Sequence, residues 1–106
     1  MGINPQLVET IVQRILTVSR PQRIILFGSA AHGSMTANSD IDLLVLEPST
    51  DNPRQESVRI AEALRGLKRP FDVLVMHIDR FEESKDVVGG IAYPAHKYGR
   101  VIYEAA

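Results

Sequence analysis

Apolar positions recur along the chain first with helical spacing and then in short strand-like runs. Over residues 5–19, Leu7, Ile11, Ile15 and Val18 fall on one face of an amphipathic helix. Asn4 is placed to cap it, Pro5 suits its first position, and Pro21 ends it. Arg23-Ile24-Ile25-Leu26-Phe27 has the form of a buried strand stopped by Gly28. Residues 29–34 predict a brief helix or turn. A second strand runs from Asp40 to Leu46, and Pro48 closes it because proline cannot continue a central strand.

Asn52-Pro53-Arg54-Gln55 reads as a helix start, an Asn cap followed by Pro and then Gln at the capping-box position. That helix is expected to turn Val58, Ala61 and Leu64 inward and to end near Gly66. Phe71-Asp72-Val73-Leu74-Val75-Met76 is a third strand. Residues 79–98 look helical in two pieces broken at Gly89-Gly90, with Asp79 as a cap, and Val101-Ile102-Tyr103 is a short last strand. Helix, strand, strand, helix, strand is the order of an α/β fold with a mixed sheet flanked by helices, rather than a regular βαβ repeat.

Composition narrows the class. The 106 residues fit one domain spanning 1–106, and 44% hydrophobic with 24% charged is an ordinary globular balance. No apolar run approaches the ~20 residues of a bilayer span, and the first residues lack the layout of a signal peptide. The absence of cysteine removes disulfides, zinc-thiolate sites and thiol nucleophiles, and fits the cytoplasm. A net charge of −1 gives no general attraction to nucleic acid or membrane, and self-association stays open. Asp40, Asp42, Glu47 and Asp51 crowd a stretch without Lys or Arg. By charge alone, an acidic surface loop explains that zone better than a cation site does.

Strand geometry changes the balance. Asp40 and Asp42 are two apart, so they project from one face at the beginning of a strand that continues Leu-Leu-Val-Leu. Two carboxylates held together repel unless a proton or cation sits between them, and such oxygens suit Mg²⁺. Asp72 stands near the start of the third strand, on the face of Leu74 and Met76. Were the two strands neighbours, three carboxylates would converge, a trio able to hold two metal ions ~3.5–4 Å apart. Gly28-Ser29 supplies the complementary half: a glycine that admits a ligand to the backbone, and a serine at a turn whose N–H groups suit phosphate.

Phe27-Gly28-Ser29, Ser39-Asp40-Ile41-Asp42-Leu43 with ten residues between Ser29 and Asp40, and Phe71-Asp72-Val73 together resemble the DNA polymerase β-like nucleotidyltransferase superfamily. Within it the chain is similar to the minimal nucleotidyltransferases of the MNT or MntA type. The resemblance implies that Asp40 and Asp42 bind two Mg²⁺ ions, and that Asp72 binds one of them and helps activate the acceptor hydroxyl. It implies that Gly28 and Ser29 bind the phosphates of ATP. It also implies a helical HEPN partner, with the chain acting as an antitoxin that transfers AMP from ATP to a tyrosine of that toxin. The family often reads Gly-Ser-Arg-Ala-Arg-Gly, where this chain has Gly28-Ser29-Ala30-Ala31-His32-Gly33. Neither alanine nor a neutral histidine replaces the bidentate grip of arginine on a triphosphate.

Two other classes compete. A binding-type antitoxin with a weak or silent site would mask its partner, a reading that Ala30 and His32 favour. A phosphatase of the haloacid-dehalogenase kind would place its Asp-x-Asp after an apolar strand, whereas here the pair precedes one. Glu47, at the far end of its strand from Asp40, is expected at the surface, and Arg59, Arg65, Lys68 and Arg69 on a solvated helix face.

Overall fold

The structure is a computed structural model, and it describes residues 3–28, 31, 40–49 and 51–106. Helix α1 (Pro5–Leu16) opens on Asn4, whose side-chain oxygen accepts the Gln6 N–H at 2.7 Å. Strand β1 (Arg23–Phe27) follows, then β2 (Ile41–Glu47), α2 (Pro53–Ala63), β3 (Phe71–His77), α3 (Ile78–Ser84), α4 (Ala92–Tyr98) and β4 (Arg100–Glu104). The four strands form one sheet in the order β3-β2-β1-β4. β1 runs antiparallel to both its neighbours, while β2 and β3 are parallel and joined through α2. This is the mixed, helix-flanked α/β sheet that the order of elements predicts.

Alternation along the strands gives the sheet two apolar faces, and helices cover each. Ile24, Leu26, Ile41, Leu43 and Val45 pack with Ile11 and Ile15 of α1, with Ile60 of α2 and with Leu64 just beyond it. Ile25, Leu44 and Leu46 pack with Phe81 of α3 and with Ala92 and Ala95 of α4. The small alanines let α4 lie close to the sheet. Leu7, Val18 and Tyr103 are partly buried at the margin of the first cluster.

Three details depart from the expected pattern. α2 starts as predicted, with Asn52 accepting the Gln55 N–H at 3.0 Å, but it turns Ile60 inward and leaves Val58 and Ala61 exposed. Residues 58 and 60 lie on opposite sides of a helix, so only one of them can enter the core. α1 stops at Leu16, short of Ser19. The cap position of α3 is His77, whose side chain makes no capping hydrogen bond to the helix, and Asp79 lies inside the first turn. No helix among the described residues is long and apolar enough to cross a membrane.

Candidate active site

β1 ends where β2 and β3 begin, so the carboxyl end of one strand meets the amino ends of two others. The register is specific: Phe27 pairs with Asp42 across β1 and β2, and Asp42 pairs with Asp72 across β2 and β3. Matched residues on adjacent strands project to the same side, with backbones about 4.8 Å apart. Asp42 and Asp72 therefore stand side by side on the face that α3 and α4 cover farther along. Asp40 sits two residues ahead of Asp42, exposed at the mouth.

Gly28 closes the site from the β1 side. Its φ of +70° is a left-handed conformation that side chains rarely adopt. A Cβ placed there would lie 2.3 Å from Asp42 Oδ2, so the carboxylate occupies the space a side chain would need. The chain turns directly afterwards, with the Ala31 N–H donating to the Gly28 carbonyl at 3.1 Å. Ser29, Ala30, His32 and Gly33 lie outside the described residues.

The electrostatics of this corner are one-sided. The Asp42 carboxyl is pushed above its ordinary value, first by partial burial, then by the negative charge of Asp72 and that of Asp40. Among the described residues, no three His, Cys, Asp or Glu side chains close around a point as a ready-made metal cage. Mg²⁺ does not require one, since it takes one or two protein carboxylates and fills its shell with water and substrate phosphate. Hard carboxylate oxygens that repel one another beside a backbone turn fit that donor set.

Glu47 is found where it was not expected. It is only 5% exposed, and Ser19 Oγ donates to its Oε2 at 2.6 Å. The signal was present in the strand period: Glu47 shares parity with Ile41, Leu43 and Val45, all on the face that α1 and α2 cover. Burial raises its carboxyl above the ordinary value and Glu56 adds to this, while the Ser19 hydroxyl, Arg59 and His77 act in the opposite direction. Arg59 also donates to the Val18 carbonyl and lies 3.6 Å from Glu56. Arg65, in the turn that follows α2, pairs with Glu62 of that helix at 3.6 Å, and both side chains are exposed. In α4, His96 lies 4.0 Å from Asp86 and Lys97 donates to the Tyr93 hydroxyl at 3.1 Å.

The chain belongs to the nucleotidyltransferase domain family, whose sequence profile matches residues 6–95. No curated protein matches it by sequence. Among solved structures, it is similar to a chain of a toxin–antitoxin with AMP-PNP, at 20% identity and a TM-score of 0.71, covering 92% of this chain and 73% of that one. A mutant MntA–HpeT toxin–antitoxin matches at 19% identity and a TM-score of 0.67, covering 97% and 75%. A tri-AMPylated Shewanella oneidensis HEPN toxin in complex with its MNT antitoxin matches at 20% identity and 0.57, covering 94% and 72%. At these identities the shared property is the fold.

Proposed function

We propose that the chain transfers AMP from Mg²⁺-ATP to a hydroxyl, a tyrosine on a HEPN-type partner, as the antitoxin of a cytoplasmic toxin–antitoxin pair. One observation carries the reading: in a member of the nucleotidyltransferase family, Asp42 and Asp72 are register partners and Gly28 is pressed against Asp42. Three of the neighbours in fold are toxin–antitoxin complexes, one with AMP-PNP and one whose HEPN toxin is AMPylated, which supports the choice of nucleotide and partner.

Asp40 and Asp42 are the proposed metal ligands, with Asp72 shared between the metal and the acceptor. Bound Mg²⁺ would neutralise triphosphate charge and favour the ionised acceptor oxygen. The Gly28 turn would bring backbone to the phosphates, and Ser29 would add its hydroxyl. The acceptor oxygen attacks the α-phosphorus, so that a new O–P bond forms and the bond to the β-phosphate oxygen breaks. Pyrophosphate leaves. The acceptor proton passes to the Asp72 carboxylate and on to solvent, a general-base role for which a carboxylate at the site's edge is suited.

The test is Mg²⁺-dependent incorporation of label from α-labelled ATP into the co-expressed partner. Asp40→Asn and Asp42→Asn should each abolish it, and undiminished labelling in both variants rejects the assignment. Ala30 and His32, where the family often carries arginines, favour a second reading, neutralisation by masking. An Asp40→Asn chain that still silences its partner in full supports masking over chemistry.

A further inference from the structure

The acid-bearing face of the sheet is not covered evenly. Over β1 and β2 it is sealed: Ile25, Leu44 and Leu46 lie beneath Phe81, Ala92 and Ala95. Leu74 is the register partner of Leu44 on the next strand, yet Leu44 is fully buried and Leu74 is 40% exposed. Among the described residues β3 is an edge strand, with no further strand adjoining it on that side. Leu74 lies two residues beyond Asp72 on the same face, with Met76 next along and already packed against the covered cluster. What remains open is a shelf with a carboxylate at one end and a leucine at the other.

From this juxtaposition we infer that Leu74 is the specificity-determining contact for the acceptor, selecting an aromatic hydroxyl over an aliphatic one. The inference rests on the reaction proposed above and adds what selects its acceptor. Residues two apart on one strand face are separated by roughly 6.6 Å, about the length of a phenol side chain. A ring laid on Leu74 carries its hydroxyl to Asp72, which takes the proton as the oxygen attacks. A serine or threonine side chain leaves Leu74 uncovered when its hydroxyl reaches Asp72, and gains nothing from the apolar surface. A half-exposed leucine offers contact area without hydrogen-bond demand, which favours a flat apolar ring.

The measurement uses the intact chain with Mg²⁺-ATP and two peptides differing only in a central Tyr or Ser, reading AMP-peptide by mass. The wild type should prefer the Tyr peptide by tenfold or more. Leu74→Ser should raise KM for the Tyr peptide about tenfold, the scale of losing one side chain's apolar contact. KM for ATP and the thermal shift given by Mg²⁺-ATP should not move, and Leu74→Met should restore the preference. A wild type that labels both peptides equally, or a Leu74→Ser chain with an unchanged Tyr-to-Ser ratio, overturns the inference while leaving transfer itself standing. Absence of AMP transfer by the wild type to either peptide or to the partner overturns both.

Discussion

Strand β2 carries an acid at each end; burial raises both carboxyls, and most of the groups around each act in opposite directions. Glu47, at the carboxyl end, is enclosed: Ser19 donates a hydrogen bond to it, and Arg59 and His77 bring favourable charge. Asp42, near the amino end, has partial burial and two other carboxylates acting on it, and all three raise its proton affinity. A buried charge with compensating partners is a structural fixture. Carboxylates brought together without compensation cost stability in the free protein, and that cost is recovered when a cation arrives. The difference separates the acid proposed to bind metal from the structural one more clearly than residue type or sequence neighbourhood does.

The largest effect expected of that contrast comes from removing charge at the amino end. Asp42→Asn should lower AMP transfer by about 1,000-fold or more, in keeping with the several kcal/mol that metal ions contribute to such transition states. Without Mg²⁺ the same variant should melt no lower than the wild type, because the substitution relieves repulsion from Asp40 and Asp72. Parallel calorimetry and labelling check the pair of outcomes. A variant that loses activity and stability together would mean that Asp42 holds the fold, and the contrast with Glu47 would collapse.

Gly28→Ala comes next. The added methyl would meet Asp42 Oδ2 and must adopt a φ near +70°. A left-handed conformation costs a non-glycine residue roughly 1–2 kcal/mol, and the displaced carboxylate adds to that. The expected result is a lower melting temperature together with a weakened Mg²⁺-ATP thermal shift. An alanine variant whose shift is the same as the wild type's would show that Gly28 is needed for the turn alone.

These positions also mark how far the sequence could be read. β1 and β2 were legible because their apolar runs are buried on both faces, and the caps of α1 and α2 because Asn and Pro impose a local geometry. Asp40 and Asp42 were legible as a pair through the two-residue strand period. What the sequence left conditional was the adjacency of β2 and β3, on which the meeting of Asp42 with Asp72 depends. Strand pairing is a long-range outcome that local periodicity does not encode. Glu47 was misplaced because its charge outweighed its parity, although parity governs which face a strand residue occupies. For α2, Val58 and Ile60 offered rival apolar faces, and the contact with α1 and the sheet selected Ile60. The apolar run of β3 placed Leu74 on the face of Asp72, but its exposure follows from the strand order, which that run does not encode.

At the carboxyl end the effects are smaller and confined to stability. Glu47→Ala removes the acceptor of the Ser19 hydroxyl in a buried setting, which should cost about 1–3 kcal/mol. AMP transfer at a temperature where the variant stays folded should be unchanged, since Glu47 stands at the opposite end of the strand from the acid pair. Denaturant titration beside the labelling assay checks this. A fall in turnover by the folded variant would place Glu47 in the reaction and remove the division between the two ends.

The smallest expected effect is the dependence of the Glu47 contribution on pH, and it fixes the sign of the comparison. The Glu47 carboxyl is raised above its ordinary value of 4.5, so in the window just above 4.5 the folded chain binds more protons there than the unfolded one. Stability changes with pH in proportion to protons bound unfolded minus protons bound folded, and for this group that difference is negative. Its contribution is therefore whole below about 4.5 and is lost as pH rises through the folded value. Glu82 works the other way, since the Lys85 ammonium beside it lowers its carboxyl, so a single melting curve mixes the two. Glu47→Gln isolates the first: it keeps an oxygen to accept from Ser19 and cannot ionise. The stability of the wild type relative to Glu47→Gln should decline as pH rises from 4.5 toward neutrality and then level off. A difference that instead grows in favour of the wild type would mean that Arg59 and His77 outweigh burial, and Glu47 would then be a stabilising ion rather than a tolerated one.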